Sequence, residues 1–125
     1  MNYLGIDYGE KRIGLAKADS RLKIATPFKT IANGPGVLNE LADIVKTEVI
    51  EKIIVGLPVS FSGQTNDFAQ KIVEFAEDVE ARTGIPVETV NEIFSSKMAA
   101  PNSEKVDESS AALILQTYLD HAERG

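Results

Sequence analysis

The 125 residues contain no cysteine and a single histidine. Without cysteine, disulfides, thiolate nucleophiles and cysteine-based metal sites are all excluded. His121 stands four residues from the end of the sequence. A Ser-His-Asp machine or a multi-histidine zinc site would have to be built on that tail, and neither is expected. There is no run of about 18 apolar residues, so no membrane span is expected. Asp7 and Glu10 interrupt the opening stretch MNYLGIDYGEKR, which therefore does not read as a secretory signal. Positive charge is also scarce. Thirteen basic residues stand against nineteen acidic ones, for a net charge of −6 and a pI near 4.8, not the balance of a strongly basic nucleic-acid binder. Carboxylates, hydroxyls, lysines and backbone amides remain for chemistry.

The chain is 43% hydrophobic and 26% charged, enough apolar material for one core, and residues 1–125 are expected to form a single domain. The charge is uneven. Residues 1–31 hold Lys11, Arg12, Lys17, Arg21, Lys23 and Lys29 against three acids, net +3, and the remainder is net −9. Such a distribution is either the solvated faces of ordinary elements or a basic hairpin edge able to meet phosphates beside an acidic site.

Three short apolar runs, Tyr3–Asp7, Ile13–Ala18 and Lys23–Ile31, are joined by the polar turns Tyr8-Gly9-Glu10 and Asp19-Ser20, which predicts an antiparallel meander. Pro27 puts the third strand at an edge or a bulge. From Val37 the apolar spacing changes to three and four, through Leu38, Leu41, Ala42, Ile44 and Val45, the mark of a helix face. Ile53-Ile54-Val55 reads as a strand buried on both faces. Phe68, Ile72, Phe75, Ala76 and Val79 form a second helical stripe closed by Thr83-Gly84. Pro86–Val90 is a fifth strand, and Ala111, Leu115, Tyr118 and Ala122 define a last helix from about 107 to 122. The predicted order is β-β-β-α-β-α-β-α, a mixed five-stranded α/β sheet with helices on its faces.

Three acids are singled out by position. Asp7 ends the first strand, Glu92 follows the fifth, and Asp107 opens the last helix. Open α/β sheets gather ligand sites at the carboxyl ends of strands, and with strands one, four and five parallel, Asp7 and Glu92 leave at the same end. Each has an ordinary alternative: an Asx turn toward Gly9 for Asp7, a helix N-cap with Ser110 in the first turn for Asp107, surface charge for Glu92. Three converging carboxylates, however, repel one another by roughly 4 kcal/mol per pair at 4 Å and an effective dielectric of 20. A cation of the Mg²⁺ or Mn²⁺ type, with its preference for oxygen ligands, would relieve that. Two such ions can support phosphodiester cleavage without histidine.

The segments LGIDYGEKRIGLAKAD (Leu4–Asp19), IIVGLPVSFSGQTN (Ile53–Asn66), NEIFSS (Asn91–Ser96) and VDESSAALILQTYLD (Val106–Asp120) together resemble the four blocks of the YqgF/RuvX family, in order and over essentially the whole chain. The resemblance implies a ribonuclease H-like fold. It also implies a Mg²⁺-dependent (or Mn²⁺-dependent) nuclease of the cytoplasm, acting on precursor rRNA in ribosome biogenesis or on Holliday junctions, with nucleic acid and the ribosomal subunit as partners. Carried over by position, the metal-binding and catalytic acids fall on Asp7, Glu92 and Asp107. The substrate-contacting residues fall on Gly9, Lys11, Arg12, Gly14, Gly56 and Pro58, with the basic pair Lys11-Arg12 meeting phosphates and the glycines allowing close approach. Two departures stand out. Asn91-Glu92-Ile93 replaces the family's Asp-Glu-Arg, and only fourteen residues separate Glu92 from Asp107, where relatives carry a longer basic stretch. Three readings therefore stand together: an rRNA-processing nuclease, a two-fold dimeric junction resolvase, and an RNA-binding module without catalysis. Monomer and homodimer both stay open. A fourth, an actin-like phosphate loop built on Asp7, Gly9 and Gly14, would need a second domain for which 125 residues leave no room.

Overall fold

The computed structural model describes residues 1–57, 67–91 and 107–122. Its elements run β1 (Asn2–Tyr8), β2 (Arg12–Asp19), β3 (Ile24–Ala32), α1 (Val37–Thr47), β4 (Lys52–Leu57), α2 (Asp67–Thr83), β5 (Val87–Asn91) and α3 (Glu108–Ala122). This is the order predicted from the periodicity. The strands form one mixed sheet in the order β3-β2-β1-β4-β5, with β1, β4 and β5 parallel and the β1–β2–β3 meander antiparallel. No helix among the described residues is long and apolar enough to cross a membrane.

Strand side chains alternate between faces, and the two faces here differ in size. Leu4, Ile6, Ile13, Leu15, Ile53 and Val55 point to one side and meet Leu41, Ile44 and Val45 of α1 and Ile72, Phe75 and Val79 of α2. The other side offers Ala16, Ala18 and Ile54, with Gly5 and Gly14 between them, to Ala111, Ile114, Leu115 and Leu119 of α3. These small residues bring the helix unusually near the strands. A Cβ on Gly5 would lie 2.8 Å from Leu115 Cβ and 3.1 Å from the Ala111 carbonyl oxygen. Thus α1 and α2 pack over a layer of large aliphatics, and α3 rests almost on the backbone of β1 and β2.

The edge strand β3 is poorly suited to pairing with another chain. Pro27 has no N–H to offer, and the ladder to β2 shifts register between Leu15 and Ala16, leaving Phe28 as an extra residue. At the start of the strand, Gln116 of α3 accepts from the Ala25 N–H at 2.9 Å and donates to the Lys23 carbonyl at 3.1 Å. A bulged, proline-bearing and partly covered edge resists strand addition.

Gly84, the expected helix stop, has φ +74° and its N–H donates to the Glu80 carbonyl at 2.9 Å. Val49 holds the comparable position after α1 with φ +54° although it is β-branched and exposed. Its neighbourhood is held by Asn2, whose Nδ2 donates to the Glu48 and Val49 carbonyls. Tyr8 lies against Phe68 and Phe75 of α2 with ring centroids 6.0 and 4.8 Å away. Strand alternation explains this, since Tyr8 must point opposite to Asp7.

Candidate active site

Asp7 is the only buried charged side chain among the described residues, 3% exposed. Burying a carboxylate is costly unless the surroundings hold the charge, so its position is informative. In the β1–β2 ladder Asp7 lies directly opposite Gly14, and in the β2–β3 ladder Gly14 lies directly opposite Thr30. Residues opposite each other in a sheet share a face. Asp7, Gly14 and Thr30 therefore form a row across three strands, on the side that α3 covers.

The start of α3 sits over the centre of this row. A Cβ built on Gly14 would come within 2.0 Å of the Asp107 carbonyl oxygen, 2.3 Å of its carbonyl carbon and 2.9 Å of its Cα. The backbone of Asp107 thus occupies the volume that a side chain at position 14 would fill. Opposed Cβ positions are about 5 Å apart, so the backbone of Asp107 comes to within that order of Asp7. Asp107 is also the N-cap foreseen from sequence: Oδ1 accepts the Ser110 N–H at 3.0 Å, and its carbonyl accepts the Ala111 N–H at 3.1 Å. Next along, Glu108 Oε2 accepts the hydroxyl of Thr30. The first strand and the start of the last helix are thus brought to the same end of the sheet.

Glu92, Pro58 and the pair Ser95-Ser96 lie outside the described residues. β5 ends in Asn91, paired with Leu57, and β4 carries Gly56, buried and opposite Val90. Among the described residues no three acidic or histidine side chains form a metal-holding group. What the geometry supplies is a buried Asp7 carboxylate on the sheet face where the backbone of Asp107 lies.

The β1–β2 turn forms one rim. Gly9 is buried, its carbonyl accepting Asn33 Nδ2 at 2.8 Å, and the Lys11 carbonyl accepts the Asn33 N–H at 3.0 Å. This fixes the turn to the end of β3 and leaves the Lys11 and Arg12 side chains exposed. Lys17 is held by Glu48 at 2.7 Å, and Arg21 by Asp19 at 2.9 Å. The charge-assisted hydrogen bond from Arg21 draws the Asp19 carboxyl down to about 2.

At the opposite end of the sheet the helix is anchored by a polar cluster. Lys52 Nζ lies 2.7 Å from Glu88 Oε2 and donates to Tyr118 Oη at 2.7 Å, while Tyr3 meets Tyr118 edge-on at 5.9 Å. Glu88 raises the Lys52 ammonium above its ordinary range, Lys52 lowers the Glu88 carboxyl, and burial raises the Tyr118 phenol. These groups satisfy one another and stand apart from Asp7.

Thr30 and Asn33 were not singled out from the sequence. Thr30 was hidden by the bulge in β3. Counted as a regular ladder from Asp19↔Ile24, Lys29 would oppose Gly14, whereas the extra residue brings Thr30 there instead.

A family model described as "RuvX: Holliday junction resolvase" matches residues 1–121. The chain belongs to the RuvX family. Among curated RuvX relatives, a protein of Sulfurihydrogenibium sp. is 37% identical, the match covering 94% of this chain and 88% of the relative. One of Syntrophus aciditrophicus is 38% identical, covering 96% and 89%. Both are named "Putative pre-16S rRNA nuclease". Among solved structures, T. thermophilus RuvC in complex with a Holliday junction substrate aligns over 100% of this chain and 96% of its own, with a TM-score of 0.63 and 15% identity. The Fowlpox virus resolvase bound to Holliday junction DNA aligns over 98% and 99%, with a TM-score of 0.61 and 11% identity. At such identities the likeness concerns the fold, the ribonuclease H-like arrangement expected for RuvX proteins.

Proposed function

We propose that this RuvX chain is a nuclease that hydrolyses phosphodiester bonds of structured nucleic acid with the help of Mg²⁺ or Mn²⁺, and that it trims the 5′ end of precursor 16S rRNA in the cytoplasm. The observation that carries the proposal is the buried carboxylate of Asp7, set beside Asp107 by the missing side chain of Gly14. The relatives' name supplies the substrate class.

Asp7 and Asp107, with Glu92 from the end of β5, hold the cation. When bound, it supplies charge neutralisation for phosphate oxygens and acidifies a water molecule. The protein's own work is to fix the carboxylates before substrate arrives. Asp7 is immobilised by burial in the sheet, and Asp107 by its cap on α3. Lys11 and Arg12, projecting from the turn after Asp7, meet the phosphates flanking the scissile bond. Gly9 and Gly56 add no side chain at this end, whereas Gly14, expected from the sequence to face substrate, is covered by the backbone of Asp107 and seats α3 instead.

The test is cleavage of precursor 16S rRNA by purified protein, with Mg²⁺ and with EDTA. Wild type should cut only with metal, and Asp7→Asn should lose at least about a hundredfold in rate, since the amide removes the buried negative charge that would hold the cation. Equal cleavage by Asp7→Asn refutes the site. The family description favours a second reading, cleavage of four-way DNA junctions, and the same assay on junction DNA separates the two. RNA binding without any metal-dependent turnover would instead identify a non-catalytic module.

A further inference from the structure

We infer that Thr30 and Glu108 act as positioning residues that lock the start of α3, and with it Asp107, over Gly14; the inference rests on the metal-site reading above. Three observations converge on it. First, Asp107 has no slack beneath it, because its carbonyl group fills the space over Gly14. Second, the hydrogen bond between the Thr30 hydroxyl and Glu108 Oε2 ties the first residue of α3 to β3, on the far side of Gly14 from Asp7. Third, the bulge at Phe28 is what brings Thr30 onto this row, since an unbroken ladder would present Lys29 there. Bulges that re-aim one side chain are common next to active sites.

The clamp gives Glu108 a job different from that of its neighbour. Its Oε2 is engaged by Thr30 of β3, so it orients Asp107 through the backbone. A hydrogen-bonded partner of this kind, acting through a ligand, typically changes metal affinity by tenfold to a hundredfold. The clamp is also local to one end of the helix, whose far end is held separately by Gln116 and by Tyr118 with Lys52.

The experiment is Mn²⁺ titration by isothermal calorimetry on the full chain, at a temperature where circular dichroism finds every variant folded. Thr30→Val should weaken Mn²⁺ binding about tenfold, and Thr30→Ser should keep wild-type affinity because the hydroxyl is retained. Glu108→Ala should weaken binding to the same extent. Glu108→Gln should not, since its amide oxygen accepts the same hydrogen bond. The Thr30→Val/Glu108→Ala double variant should be no worse than either single change, as expected for two halves of one contact. Wild-type affinity in Thr30→Val alongside lost binding in Asp7→Asn would overturn the clamp and leave the metal site standing. A Glu108→Gln defect as large as that of Glu108→Ala would overturn it too, by making Glu108 a ligand. Absence of Mn²⁺ binding in wild type would refute the metal site and the clamp together.

Discussion

Replacing Gly14 by alanine puts a single methyl group where the backbone of Asp107 already lies. The new carbon would sit 2.0 Å from a carbonyl oxygen and 2.3 Å from its carbon, against a normal contact of about 3.5 Å. Both obstructing atoms belong to the main chain, so no side-chain rotation relieves the clash. The start of α3 must withdraw by at least about 1 Å, with Glu108 and its bond to Thr30 carried along. Forcing one methylene-sized group into a packed site costs about 1–3 kcal/mol. For a domain of this size each kcal/mol lowers the melting temperature by roughly 3–5 °C. The effect on cleavage should be larger than that on stability, because a 1 Å misplacement of a reacting constellation can cost about a hundredfold in rate. The assay pairs thermal melting by circular dichroism with metal-dependent cleavage at a temperature where the variant is fully folded. Wild-type melting together with wild-type cleavage would refute the seating of Asp107 on Gly14, and with it the route by which the two acids are brought together.

Asp107 itself separates folding from chemistry. Asparagine caps helices as well as aspartate does, so Asp107→Asn should leave urea stability within a few tenths of a kcal/mol, while Asp107→Ala should lose about 0.5–2 kcal/mol; both should lose Mn²⁺ binding by calorimetry. Val49→Gly should raise stability by about 0.5–1 kcal/mol, the left-handed backbone at φ +54° being unfavourable for valine and free for glycine, less the extra freedom of the unfolded chain. The Asn2 bonds at that corner go to backbone carbonyls and survive. A lower denaturation midpoint for this variant would show that Val49 makes contacts that outweigh its strain.

The element order was legible because the central strands and the helices each keep a single period over their length. β4 has Ile53, Ile54 and Val55 wholly buried, and α2 keeps its stripe from Ala69 to Val79. Pro27 announced the edge, and the parallel run of β1, β4 and β5 followed from the two βα units after the meander. Asp7 and Asp107 were legible as residues, since strand ends and helix starts can be read along the chain, and the family resemblance fell on the same positions. Their mutual approach was not. It depends on a void at Gly14, and sequence alone left open whether that glycine admits a phosphate or another stretch of backbone. Thr30 was invisible for a sharper reason: one extra residue in β3 reverses which side chains face α3, and no local preference signals where a ladder slips.

The helix that completes this site is the last element of the fold, and it lies across β1, β2 and β3. During synthesis Asp7 leaves the ribosome a hundred residues ahead of Asp107. Until α3 follows, the seam of Ala16, Ala18 and Ile54 has no cover. For the nuclease proposed above, a chain that lacks α3 would hold only part of the metal site, so the order of the elements itself sets a delay that needs no inhibitor.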